Sequence, residues 1–353
     1  MKKYGYLYEK TYEEDNVRKG FKTACAHRKT KKEVAEFLVN IEEHIKRAIL
    51  ELRTGTFRIE GYTTFQINEN GKIRTIRKLS LYDTGVLNSV CQIVEPYIKN
   101  KLLPEVHGSV RGRGMHSAMR SIYKQIQNRK LKYGLIFDIA GFFKSIDSEI
   151  SKNTIRGVFK DSKIISFFDN LIDGYPDEET PIGNRSSPML ANLYLNPVLR
   201  KLKDLKVHHL TNFVDDTFIL GFSKKWLHFI LGHLKDYLKE VKLRLKGNYQ
   251  IFDIDKRAID FVGWIIHRDY VLIRKRTKLK IKTVAKRLWW KIINHMELTL
   301  HDRCVVSSYY GMLKWCNGYR LYCKTLKPIV EYIKAWTKRQ RYLASLSPIK
   351  QYA

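Results

Sequence analysis

Cysteine is scarce in this chain of 353 residues, and so are acids, prolines and long apolar runs. The five cysteines (Cys25, Cys91, Cys304, Cys316, Cys323) form no C-x-x-C pair and no spacing suited to zinc. A disulfide framework or structural zinc site is therefore not expected, and the thiols fit a reducing cytoplasm. No run of 18 apolar residues exists, the start Met1-Lys2-Lys3-Tyr4-Gly5 lacks an apolar signal core, and no lipidation motif is visible. No membrane partner is expected. With 8 Pro and 20 Gly, and no repeat, low-complexity tract or Pro/Gly-rich linker, subdomains are expected to pack together rather than hang on a tether.

The shortage of acids is the most telling. Against 35 Asp and Glu stand 66 Lys and Arg, a formal net charge of +31. From Ile265 to Ala353 there are 20 basic residues and 4 acidic ones, so about half of the excess lies in the last quarter. Such a balance calls for a polyanionic partner, and without membrane signals that partner is nucleic acid. The 44% hydrophobic and 12% aromatic content argues for a compact body with a large core.

Two of the few acids are adjacent: Asp215-Asp216, within Asn212-Phe213-Val214-Asp215-Asp216-Thr217-Phe218-Ile219-Leu220. The pattern is a tight hairpin with carboxylates at its tip, and alone it would be a solvated turn. A third acid, Asp138, ends the apolar run Leu135-Ile136-Phe137 just before a turn. Three carboxylates from two strands can hold a pair of divalent ions about 3.5–4 Å apart, the arrangement for in-line nucleotidyl transfer.

The periodicities predict alternating helices and strands. A helix over 31–52 carries Val34, Phe37, Leu38, Ile41, Ile45, Ile49 and Leu52 on one face, and a hairpin over 62–79 turns at 68–71. Helices are expected over 81–101, 150–159, 164–172, 188–202 and 226–241. Strands are expected over 133–139, 211–222 as a hairpin, and 241–245. A last hairpin pairs 260–266 with 270–274, and mostly basic helix follows. There Ile281, Val284, Leu288, Ile292 and Met296 form an apolar stripe flanked by Lys278, Lys282, Lys286 and Lys291. Trp289, Trp290, Trp315 and Trp336 are expected in the core rather than stacked on bases.

Lys72 and Arg74 fall on one side of a strand, where a triphosphate or plain solvent can meet them. Phe143, five residues after Asp138, can crowd a nucleotide sugar or fill the core. The loop Pro181-Ile182-Gly183-Asn184-Arg185-Ser186-Ser187-Pro188 leads into a helix whose free N–H groups suit phosphate or sugar oxygens.

The ordered set of motifs resembles the bacterial reverse transcriptases from about Phe21 to Leu288. Phe137-Asp138 through Ser145-Ile146-Asp147 resembles the first metal motif. The loop 181–188 with Met189 to Asn196 resembles the template and nucleotide loop. Phe213-Val214-Asp215-Asp216 resembles the Tyr-x-Asp-Asp box with Phe for Tyr, and Asp260-Phe261-Val262-Gly263-Trp264 the turn that grips the primer end. Gly71-Lys72-Ile73-Arg74 resembles the fingers motif, and Arg111-Gly112-Arg113-Gly114 through Ala118 the basic element before the first acid.

The resemblance implies an α+β right-hand polymerase fold. A helical extension would cover 1–60, fingers and palm with an antiparallel sheet flanked by helices 61–265, and a basic helical thumb 266–353. Asp138, Asp215 and Asp216, with Ile139, would hold two Mg2+ ions, replaceable by Mn2+. Lys72, Arg74, Phe143, Ile182 and Gly183 would contact the dNTP. Phe261, Val262, Gly263 and Trp264 would grip the primer, and Arg111, Arg113, Arg185, Lys278, Lys282 and Lys286 would bind nucleic acid. The expected partners are an RNA template, a DNA product, and a partner protein or second copy, in a bacterial cytoplasm. Lys246 is either a proton donor to pyrophosphate or a plain surface lysine.

Two branches of the family fit. The Ile-Gly-Asn loop resembles diversity-generating retroelement enzymes. Ser186-Ser187-Pro188, Phe213, and the lack of Asp-Arg in Leu81 to Val86 resemble defence-associated enzymes that copy a noncoding RNA. Group II intron proteins fit less well, because no Cys/His cluster follows the thumb. A non-catalytic RNA-binding scaffold would not need all three acids. A template-independent transferase would use the same three.

Overall fold

The computed structural model describes residues 3–26, 31–69 and 71–346, which divide into two compact units. The first comprises 3–121 and 130–252; the second comprises 122–129 and the chain from Asp253 onward. No helix among the described residues is long and apolar enough to cross a membrane.

The first unit opens with α1 (Tyr8–Thr11), α2 (Glu14–Cys25), α3 (Lys32–Val39) and α4 (Ile41–Thr54). The single helix expected over 31–52 is in fact these last two. Asn40 leaves helical geometry (φ −105°, ψ 23°), as Asn does when its side chain competes for backbone partners. The hairpin over 62–79 forms as expected, β1 (Tyr62–Glu69) pairing antiparallel with β2 (Lys72–Leu79); Asn70 of its turn lies outside the described residues. Helix α5 (Leu81–Lys99) crosses α2 so closely that a Cβ on Gly20 would sit 2.6 Å from the Gly85 carbonyl. Two glycines thus let the helix backbones meet.

Helix α6 (Met115–Gln125) leads to β3 (Tyr133–Phe137), followed by a short 3-10 turn at Phe142–Lys144. Next come α7 (Ser148–Val158), α8 (Ser162–Asp173), a second 3-10 turn at Pro176–Glu178, and α9 (Ser186–Asp204). Then come β4 (Leu210–Phe213), β5 (Asp216–Gly221), α10 (Lys224–Glu240) and β6 (Gln250–Asp253). The strands form one sheet in the order β4-β5-β3-β6, with β3 and β4 both antiparallel to β5. A strand over 241–245 does not form: Lys242 takes a left-handed φ of 55°, leaving only an isolated bridge between Leu245 and Ile139. Leu135, Phe137, Phe218 and Ile219 are buried, each side chain contributing about 1.5–3 kcal/mol by leaving water.

In the second unit β7 (Ile259–Phe261), β8 (Trp264–Ile266) and β9 (Val271–Ile273) make a three-stranded antiparallel meander. The segment 260–266, expected as one strand of the last hairpin, is thus two strands joined by the turn that the 260–264 motif implied, at Val262-Gly263, where φ is positive at both residues (45° and 90°). Helices α11 (Lys275–Ile293), α12 (Leu300–Leu313), α13 (Tyr319–Thr325) and α14 (Lys327–Leu346) complete it. Ile281, Ala285 and Leu288 are the buried face of α11, while Met296 falls beyond its end and is exposed. Asp302 pairs with Arg287 and Lys291; burial raises its carboxyl, but hydrogen bonds from Lys291 and Thr299 and the Lys291 charge hold it below the usual range. Trp289, Trp290 and Trp315 are exposed, contrary to the core positions expected from their size; on α11 the buried stripe is Ile281, Ala285 and Leu288, which leaves Trp289 and Trp290 outside, and Trp315 lies just past α12. Trp336 carries the Arg303 guanidinium over its ring at 4.4 Å.

Candidate active site

Strand β3 places its acid by alternation. Leu135, Phe137 and Ile139 point into the core, so Asp138 points to the other side. The ladder pairs Phe137 with Thr217, and one step further along that register Asp138 stands opposite Asp216. Phe213 pairs with Asp216 across a two-residue turn of Val214 and Asp215. The three carboxylates therefore gather at one end of the β4-β5-β3 ladder.

The turn is braced from within. Buried Asn212 donates its side-chain amide to the Val214 carbonyl (2.9 Å) and to Thr217 Oγ1 (2.9 Å). Its backbone N–H donates to Glu105 O, and its carbonyl accepts from His107 N–H. Gly108 packs so tightly that a Cβ there would lie 2.7 Å from Val214 N, and the Asn192 amide holds the Gly108 carbonyl at 2.7 Å. Val214 itself is left-handed (φ 59°), a costly conformation for a β-branched residue that these contacts enforce. Asn212, Gly108 and Asn192 escaped sequence reasoning; only the Asn preceding the Phe-Val-Asp-Asp run was a signal.

Burial, and then the charges of Asp216 and Asp138, push the Asp215 carboxyl up to about 6. Asp138 Oδ2 accepts from Lys246 Nζ at 2.6 Å, and the Asp138 carbonyl accepts from Lys246 N–H at 2.9 Å. That carboxylate raises the pKa of the ammonium. Asp138 Oδ1 is buried with no hydrogen-bond partner. Among the described residues no three acidic, histidine or cysteine side chains stand in a finished metal cage. Hard oxygen donors, an orphaned buried carboxylate oxygen and one ammonium against three acids nevertheless fit divalent cations. Such ions would be held by Asp138, Asp215 and Asp216, with Lys246 leaving Asp138 Oδ2. Ile139 is buried beside them.

The loop over 177–186 is tied to β2. Arg77 N–H donates to the Ile182 carbonyl at 3.1 Å, and the Arg77 guanidinium pairs with Asp177 and with Glu179. Glu179 also pairs with Lys144 at 2.9 Å, next to Phe143. Ile182 is half-buried, and Gly183 has φ 123° with the Arg77 carbonyl 3.3 Å from where a Cβ would be. Phe143 is half-buried against the core and tilted on Phe142 at 5.7 Å. Arg74 is half-buried; the Lys72 side chain lies outside the described residues.

The expected nucleic-acid contacts differ in availability. Arg111 is exposed. Arg113 staples its own loop, donating to the Leu103 and Val106 carbonyls, and Arg185 pairs with Glu95 at 2.8 Å. In the second unit Lys278, Lys282 and Lys286 are exposed on α11. Phe261 and Trp264 are buried on either side of the Val262-Gly263 turn.

A sheet ending in a three-acid turn, with a separate strand hairpin and a loop tied to it, defines a right-hand polymerase fold of the reverse-transcriptase type. Residues 66–266, more than half of the chain, match the family described as reverse transcriptase (RNA-dependent DNA polymerase), and the chain belongs to that family. No curated protein matches it by sequence. Among solved structures it is similar to apo telomerase from Candida tropicalis, at 13% identity and a TM-score of 0.48, over 66% of this chain and 53% of that one. A form of that telomerase truncated from its C-terminal domain gives 14% identity and a TM-score of 0.48, over 60% and 55%. The chain thus spans about half the length of these structures.

Proposed function

We propose that the protein is an RNA-directed DNA polymerase that extends a primer with dNTPs by divalent-metal-dependent nucleotidyl transfer. The carrying observation is the gathering of Asp138, Asp215 and Asp216 at one end of a sheet, beside a loop held on a basic strand. When bound, two Mg2+ or Mn2+ ions supply activation of the primer hydroxyl and charge neutralisation on the triphosphate. The protein's own part is placement. Asn212 fixes the turn, Arg77 fixes the Ile182 loop, and Lys246 is within reach of the same acids to give a proton to the leaving pyrophosphate.

The biological setting we favour is bacterial anti-phage defence, with a cognate noncoding RNA as template. Ser186-Ser187-Pro188, Phe213 and the absence of Asp-Arg after Leu81 support that reading. The Ile182-Gly183-Asn184 loop favours a second one, an error-prone enzyme of a diversity-generating retroelement.

Asp215→Asn and Asp138→Asn should each abolish dNTP incorporation on a primed RNA, as should excess EDTA, while RNA binding stays largely intact. Wild-type incorporation by Asp215→Asn would remove the polymerase reading. Sequencing the RNA that copurifies with the protein, and any DNA joined to it, separates the two settings.

A further inference from the structure

The second unit contains a cavity of about 720 Å³, within the 300–1,000 Å³ typical of ligand pockets. Lys278, Lys282 and Lys286 reach it from α11, and Arg320 and Lys324 from α13. The helical spacing of four puts each set on one face, so two cationic ladders border one hollow. No acid lines it, and among the described residues none of these five cations is in an ion pair. Its surface is otherwise largely apolar, from Leu272, Leu321, Pro328 and the indole of Trp289. Trp289 remains 46% exposed and Leu272 39%, so flat apolar area stands uncovered between positive charges.

We infer that this cavity seats an unpaired nucleotide of single-stranded nucleic acid, its base against Trp289 and its flanking phosphates on the two cationic ladders. The inference rests on the nucleic-acid reading of the basic helices but differs from backbone tracking. A duplex hides its bases and offers only phosphates and groove edges, which would leave the apolar floor wet. An unpaired nucleotide supplies a flat apolar ring with an anion on either side, matching both halves of the surface. Charge disfavours the nearest alternatives. Residues 347–353 carry one lysine and no acid, and a second copy of the chain brings a net +31.

The test is equilibrium binding of the full-length protein to short fluorescein-labelled oligoadenylate, as RNA and as DNA, and to a blunt duplex of similar charge. Trp289→Ala should weaken the single strands about tenfold, with Trp289→Phe restoring most of the affinity and the duplex little affected. The double variant Arg320→Ser/Lys324→Ser should flatten the salt dependence for single strands by about one to two units. A higher affinity for RNA or for DNA would only identify the source of the strand, both supporting the inference. Equal loss on duplex and single strand in Trp289→Ala, or no loss on either, would overturn it. So would displacement of the oligonucleotide by polyglutamate of equal charge as effectively as by unlabelled oligoadenylate, which would indicate an acidic protein partner. No dNTP is present, so the outcome is independent of incorporation by the Asp215 variants.

Discussion

At the residue scale the acids at the sheet end oppose the fold that carries them. Asp215 has its carboxyl raised by burial and by two neighbouring acids, so the folded state holds its proton more tightly than the unfolded chain. The stabilisation linked to this group is fully present below the unfolded pKa near 4 and is lost as pH rises through about 6. At about 1.4 kcal/mol per pKa unit, the ceiling is about 3 kcal/mol. In EDTA at neutral pH, Asp215→Asn should therefore be more stable than wild type in urea unfolding, by about 1–3 kcal/mol, with the gap closing toward pH 4. An equal gap at both pH values would mean that Asp215 is not strained by charge. The gathering of the three acids was legible because each adjoins an apolar strand run. Asn212 was not, because its burial depends on Glu105, His107 and Thr217, which are brought to it by the tertiary fold.

At the element scale, what could be read in advance followed local periodicity. The 62–79 hairpin and the helices starting near 81, 148 and 224 have their patterns written in neighbouring residues. Breaks that hinge on one backbone angle were hidden: Asn40 divides a continuous apolar stripe, and Lys242 ends an extended run. The 181–188 loop was legible as a motif, but its attachment to β2 through Arg77 was not. That attachment limits how far the Ile182 side chain can shift. Ile offers a nascent base pair only apolar contact, where Gln would add a hydrogen bond sensitive to correct geometry. Ile182→Gln should therefore lower misincorporation on a defined heteropolymeric RNA, read by deep sequencing of products, provided Arg77 still anchors the loop. Matching error spectra would show that position 182 does not set fidelity and would weaken the diversity-generating reading.

At the scale of the whole molecule, composition alone pointed to a polyanion, and the structure separates exposed cations from those with internal duties. Arg113, Arg185 and Lys291 are engaged within the protein, whereas Lys278, Lys282 and Lys286 are not paired among the described residues. RNA affinity should fall with salt by about −0.7 to −0.9 log units per log unit for each phosphate contacted. Reversing the charge of Lys282 and Lys286 together should flatten the slope by about one to two units, and an unchanged slope would place the nucleic-acid path elsewhere. The sequence could show this excess and its concentration in the last quarter but not its arrangement in space, because α11 and α13 face one hollow only after folding.

That distribution has a consequence for assembly. The basic last quarter has few acids of its own, and Asp302 is already committed to Arg287 and Lys291. Mutual repulsion among the remaining cations is thus left to solvent ions or to a bound polyanion to relieve. A bound RNA strand would act as the missing counter-charge, stabilising these helices through linkage as well as being copied. On the function proposed above, the strand that is copied and the counter-charge that steadies these helices would be the same molecule.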